Sequence, residues 1–307
     1  MRIDTASQKT SAMLLHNLAN GISFTAMPIN QTVHHLTRPE GRIAYTDTGS
    51  GPLVVAVPGM GDVRSTYDEL VPLLTDAGYR VVVTDLRGHG DSDTSFTVHG
   101  DEATAGDVVA LVEHLDAGPA VLLGVSMGAS SAVVAAAERP ELVRGLVLIT
   151  PFLRDPLTGA KAGLMRVAYR VLFARPWGVA FWSWYYSSVS RGRRSDRHAE
   201  HVAEVARALR APGHLSSLRR LALSLDHSVV ERRLPAVQAP ALVLVGARDS
   251  DFPDPATEFP WIQERLDARC VLVPESGHYS QHQAPDVVAA EALGFMSALP
   301  ASERKHA

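Results

Sequence analysis

The chain has 307 residues, 46% hydrophobic and 20% charged, with a formal net charge of −4. That size and apolar content suit one large globular α/β domain with room for an insertion. The slight negative charge offers no basic surface to nucleic acid or anionic lipid. No apolar run approaches the ~18 residues of a membrane-spanning helix. The lone cysteine, Cys270, excludes an internal disulfide; set in the run Cys270-Val-Leu-Val273, it is expected to be a buried structural thiol.

Residues 1–30 are rich in Ser, Thr and Asn and read as an N-terminal extension. They lack a charged start followed by a long apolar core and an Ala-x-Ala cleavage site, so no secretory signal is evident and cytoplasmic residence is expected. Thr32–Thr37 and Arg42–Thr46 read as a hairpin joined through Arg38-Pro-Glu-Gly41, with His34 and His35 on its surface. A repeating unit follows. Leu53–Val57 is a wholly apolar strand, Val63–Ala77 a helix, Tyr79–Thr84 a strand, and Asp85–Asp93 a turn-rich loop. Asp101–Leu115 is a helix, Ala120–Leu123 a strand, and Leu142–Ile149 another strand. This alternation predicts a parallel sheet with helices on both faces.

The rhythm breaks after Pro151. Residues 151–237 contain no strand-like run and read as an inserted helical lid, holding the aromatic cluster Phe181-Trp-Ser-Trp-Tyr-Tyr186. The arginines at 191–194 and 219–220 read as solvated helix faces. Alternation resumes with a strand at Ala241–Val245, a helix at Ala256–Leu266, the strand at Cys270 and a final helix at Pro285–Leu299. The core is therefore residues 31–150 and 238–307, interrupted by the lid.

Chemistry concentrates where strands end. The strand at Ala120 runs into Gly124-Val-Ser-Met-Gly128 and then a small-residue helix. A tight strand-to-helix turn projects a serine hydroxyl from the backbone, and flanking glycines remove the side chains that would collide. Ser126 is thus the candidate nucleophile. The loop Pro58-Gly-Met-Gly-Asp62 is placed to offer a backbone N–H to the same cavity, so Met60 and Met127 N–H are the expected oxyanion donors. Asp249, after the strand at Ala241, is the candidate acid; Asp251, Asp254 and, less favoured, Asp155 compete with it. His278, in Ser276-Gly-His278, is the candidate base. The chain order Ser, Asp, His, each just past a strand end, marks acyl transfer through a covalent intermediate. Trp182, Trp184 and Tyr185, with Tyr186, are expected to contact a small, mostly apolar, ring-containing substrate. His89 and His282 have no comparable setting. No residues fall at metal-ligand spacing and no nucleotide-binding glycine pattern occurs, so neither metal nor cofactor is expected.

These residues resemble the α/β-hydrolase superfamily from about Thr32 to Leu299, most closely its lid-bearing branch of esterases, lactonases, perhydrolases, C–C hydrolases and epoxide hydrolases. The matching pieces are Pro58-Gly-Met-Gly61, Asp85-Leu-Arg-Gly-His-Gly-Asp-Ser92, Gly124-Val-Ser-Met-Gly128, Gly246-Ala-Arg-Asp249 and Ser276-Gly-His278. The resemblance implies an eight-stranded, mostly parallel sheet and a Ser126–His278–Asp249 triad. Many relatives carry His where this chain has Pro58. Epoxide hydrolases carry Asp at the nucleophile position, here Ser126. C–C hydrolysis and perhydrolysis use the same triad, and a slow or non-catalytic ligand receptor on the same fold is the rival class.

Overall fold

The computed structural model describes residues 32–155, 159–252 and 254–300, so the extension read at 1–30 lies outside it. Eight strands form one sheet: β1 (His34–Arg38), β2 (Gly41–Thr48), β3 (Leu53–Val57), β4 (Arg80–Thr84), β5 (Ala120–Val125), β6 (Val143–Ile149), β7 (Ala241–Gly246) and β8 (Ala268–Val273). Their order is β1-β2-β4-β3-β5-β6-β7-β8. The hairpin β1–β2 is antiparallel and β2 pairs antiparallel with β4; every other pairing is parallel.

The helices are α1 (Leu70–Asp76), α2 (Asp101–Leu115), α3 (Met127–Glu138), α4 (Gly159–Leu172), α5 (Gly178–Val189), α6 (His198–Arg210), α7 (His214–Ser224), α8 (Ser228–Glu231), α9 (Pro255–Gln263), α10 (Ser280–Gln283) and α11 (Pro285–Ala298). The central strands are apolar throughout because both faces are covered. Val55, Leu122, Leu146 and Val243 pack with α2 and α3 through residues such as Leu111 and Val133. Their neighbours Val54, Val121, Val147 and Leu242 point the other way, toward Leu70 and Leu74 of α1 and Val288 and Ala292 of α11. The period-two alternation of strand side chains sorts one continuous apolar run into two cores.

Three local expectations need correction. The helix read at Val63–Ala77 is a 3₁₀ turn at Arg64–Tyr67 followed by α1. Pro72 fits this break: lacking an N–H, it is best accommodated in a first helical turn, and the helix restarts at Leu70. Cys270 is half-buried, not buried, because β8 is the edge strand of the sheet. The arginines at 191–194 sit in the α5–α6 connection rather than on a helix, and Arg193 pairs with Asp286 at 2.7 Å.

Between β6 and β7 the chain is helical, from α4 to α8. A third apolar cluster lies here, joining Phe173, Trp182, Val205, Leu209 and Leu218 to Val63 of the β3–α1 loop. Among the described residues no helix is long and apolar enough to cross a membrane.

Candidate active site

Parallel strands send all their C-terminal ends to one edge of the sheet, so loops distant in sequence meet there. Ser126 follows β5 at φ 55°, ψ −124° and caps α3. A positive φ is strained for serine, and it aims the hydroxyl out of the turn. The glycines around it answer to crowding. A Cβ on Gly128 would meet Val57 O and Pro58 O at 2.4 Å, and one on Gly124 would meet Ala129 N at 2.5 Å.

The oxyanion donors read from the sequence lie beside the serine. Met60 and Met127 both line a cavity with Ser126 and His278. Neither amide donates a backbone hydrogen bond among the described residues. Met127 opens α3, where helical N–H groups have no internal acceptor and the dipole favours negative charge. Gly59 brings the two loops together: a Cβ there would lie 3.2 Å from Ser126 Cβ.

Asp249 and His278 are joined. His278 Nδ1 donates to Asp249 Oδ2 at 2.8 Å, with both side chains buried. The loops carrying them approach so closely that a Cβ on Gly246 would fall 2.0 Å from Gly277 O. Burial disfavours a charged imidazole, but the Asp249 charge and hydrogen bond outweigh it and raise His278 from 6.5 to about 9. Ser126 Oγ and His278 share no hydrogen bond in the structure; such contacts commonly tighten only around substrate.

Asp251 is close as well, its Oδ2 lying 3.7 Å from His278 Nδ1. That oxygen accepts a 2.8 Å bond from Tyr185 OH, and Asp251 N–H donates to Asp249 Oδ1 at 2.9 Å. Asp254 is exposed and absent from the cavity lining. Asp155 does reach the cavity, but its Oδ1 accepts from His227 N–H at 2.8 Å. Ligand-type atoms of Asp249, Asp251 and His278 lie within 4.8 Å of one another, a grouping that sequence spacing does not reveal. Two of the three carboxylate–imidazole–phenol contacts in this group are hydrogen bonds within the protein.

The aromatic residues divide. Trp182 is buried and lines the cavity, and its Nε1–H donates to Gly61 O at 2.8 Å. Tyr185 lines the cavity too. Tyr186 is fully buried, stacked on Tyr279 at 4.0 Å. Trp184 is 66% exposed and outside the cavity, so the expectation that it contacts substrate is corrected. It sits two positions after Trp182 on a helix, about 200° around the axis, and therefore faces solvent. His89 and His282 are both buried and do not line the cavity.

Other site residues carry no local sequence signal. Thr150, at φ 45°, directly follows β6, and its hydroxyl donates to His278 O at 3.0 Å. A β-branched residue with positive φ is a genuine outlier, here spent on fixing the histidine loop. Phe152, Arg166 and His227 also line the cavity. Its empty volume is about 930 Å³, open solvent at its mouth included.

The profile of a family described as Serine aminopeptidase, S33, matches residues 50–271. A 2-(acetamidomethylene)succinate hydrolase of Mesorhizobium japonicum is 27% identical over 265 residues, covering 84% of this chain and 93% of that protein. Among solved structures, a thermophilic esterase from Thermogutta terrifontis, with malate bound, aligns at TM-score 0.71 and 26% identity over 87% of this chain and 98% of that one. An epoxide hydrolase aligns at the same TM-score of 0.71, over 87% of this chain and 98% of its own, at 23% identity, which speaks to the fold.

Proposed function

This chain belongs to the α/β-hydrolase superfamily, through the serine aminopeptidase S33 profile that spans most of it, and within that superfamily of hydrolases of small molecules we propose that it cleaves a carboxylic ester or lactone through an acyl-enzyme. One observation carries this reading: a strained serine and an aspartate-backed histidine open into one cavity that also holds two free backbone N–H groups. His278 Nε2 takes the Ser126 proton as Oγ bonds to the substrate carbonyl carbon. The carbonyl π electrons move to oxygen, where Met60 and Met127 N–H hold them. Collapse re-forms the carbonyl, and the alcohol leaves with the proton from His278. Water then attacks the acyl-serine, giving its proton to His278; the acid departs and Ser126 recovers the proton. Each oxyanion donor is worth about 3 kcal/mol in such a step.

Residues 151–237 act as a cap in this reading. Ala162, Met165, Tyr169, Trp182, Tyr185 and Leu225 come from that segment and give the cavity its apolar wall, which favours a mostly apolar substrate. Ser126 supports ester chemistry over epoxide opening.

A fluorophosphonate serine probe and short p-nitrophenyl esters test this directly. Wild type should be labelled at Ser126, and Ser126→Ala should lower kcat by roughly 10⁴-fold or more. Unlabelled wild type, or undiminished turnover by the variant, would overturn the proposal.

A further inference from the structure

Two histidines on the cavity wall are each backed by a buried aspartate, and acyl transfer uses only one. His227 Nδ1 donates to Asp101 Oδ2 at 2.8 Å, the counterpart of the His278–Asp249 bond. Phe152 sits between the pairs, its ring stacked on His227 at 5.5 Å and tilted against His278 at 5.9 Å. Asp101, 3% exposed at the start of α2, has its other oxygen within 3.4 Å of the Ser131 hydroxyl. Nothing in the mechanism above involves this second pair.

Histidines with a purely structural role look different in this molecule. His201 uses both ring nitrogens inside the protein, on Asp62 and Ser65. His198 has both ring nitrogens sealed in without a hydrogen-bond partner, and His282, sealed likewise, has its Nδ1 3.4 Å from Glu69 Oε2. His227 is only 5% exposed, yet its Nε2 makes no hydrogen bond among the described residues and is not one of the sealed atoms. His227 lines the cavity, so this accessible nitrogen is inferred to face it. Burial works against the imidazolium, but the hydrogen bond and charge of Asp101, aided by Asp155 and Asp226, raise its pKa above the ordinary value. Nδ1 is anchored, so the ring orientation is fixed before any ligand arrives, and ordering it costs little on binding.

We propose that His227 is a substrate-binding residue whose Nε2–H holds an acceptor oxygen, carboxylate or carbonyl, on the part of the substrate away from the bond that is cut. The favoured substrates are then esters with a second oxygen group, set in an otherwise apolar cavity. This deepens the ester-hydrolase reading and rests on it. Arg166 adds a cation to the wall, while Asp155 and Asp251 oppose it. The hydrogen bond at Nε2, not bulk charge, therefore does the selecting, and a neutral carbonyl qualifies beside a carboxylate.

Three esters of matched length test it: ethyl pentanoate, ethyl 4-oxopentanoate and monoethyl succinate, followed by pH-stat at neutral pH. Wild type should favour the two oxygen-bearing esters over pentanoate by about tenfold in kcat/KM, the worth of one charged hydrogen bond. In His227→Asn the amide can still donate to Asp101 while nothing replaces Nε2. It should lose that preference, the kcat/KM ratio of the oxygen-bearing esters to pentanoate falling to about one. His227→Gln, which returns a donor near the Nε2 position, should recover part of the preference. Equal losses on all three esters, or no preference in wild type, would overturn the proposal. Calorimetry with 4-oxopentanoate and pentanoate separates it from the parent reading. If no ester is cleaved but 4-oxopentanoate binds tighter than pentanoate in wild type and not in His227→Asn, the hydrolase reading fails and the subsite stands. Indistinguishable binding of the two acids would remove the subsite, and a collapsed melting temperature in His227→Asn would assign the residue to structure.

Discussion

The cavity has two walls of different construction. One consists of loops after β3, β5, β7 and β8, strands whose central members are buried end to end. The other consists of helices between β6 and β7, and these are unequal. Helix α5 is keyed to the catalytic loops: Trp182 bonds Gly61 O, Tyr185 bonds Asp251, Tyr186 bonds Asp62, and Val189 O accepts His278 N–H. Helix α4 buries no residue, and its Leu164, Val167 and Val171 are exposed. The difference separates two tasks. The sheet edge sets atoms that must be exact to tenths of an ångström, because β3, β5 and β7 are each held by ladders on both sides. The helical wall sets shape, and α5 also hydrogen-bonds the loops that carry Asp62, Asp251 and His278.

The sharpest break of this comparison comes from the sheet-edge wall. Asp249→Asn should cost about 10³–10⁴ in kcat, since the amide no longer holds the histidine in its working tautomer. Asp251→Asn should cost only a few-fold. Stopped-flow or steady-state ester assays on the two variants decide which carboxylate serves His278, and a larger loss at Asp251 would reverse the assignment.

The helical wall should fail through stability instead. Trp182→Ala removes a buried indole and its bond to the oxyanion loop, and thermal or urea melts should show a loss of about 3–5 kcal/mol. A smaller loss, with kcat intact, would mean that α5 does not support that loop.

The pH dependence sharpens the sheet-edge side. His278 must be neutral to accept a proton, and Asp249 holds it protonated up to about 9. Log(kcat/KM) should therefore climb with pH from neutrality toward 9 and level off above it. The stability linkage has the opposite sign. The raised pKa stabilises the fold fully below 6.5, and that contribution is lost as pH rises toward 9. An activity plateau already reached at pH 7 would remove the predicted coupling.

The smallest effect is expected on the outer face of the same helix. Trp184→Ala should change stability by less than about 0.5 kcal/mol and leave KM unaltered for esters of any size. A KM effect confined to bulky esters would bring Trp184 back into the substrate path.

Much of this was legible in residue order because it depends on local physics. Apolar runs of five or six residues separated by helical periodicity announce strands covered on both faces, and a serine between glycines announces a strained turn. Ser126, Asp249 and His278 could be picked out because each follows a strand end, and parallel strands bring such ends to one edge. Met60 and Met127 followed from the same rule. Other features carried no local mark. Trp182 and Trp184 are the same residue type two positions apart, and only the helix axis decides which one is buried. Asp251 and Asp249 differ by a loop conformation. His227 has an ordinary neighbourhood in the chain; its partner Asp101 lies on a distant helix, and its free nitrogen acquires meaning only from the cavity beside it. Periodicity and turn chemistry act within a few residues, so the chain itself settles which elements form and in what order. Which side chains share a cavity is a long-range packing result, decided when the helices between β6 and β7 close over the edge of the sheet.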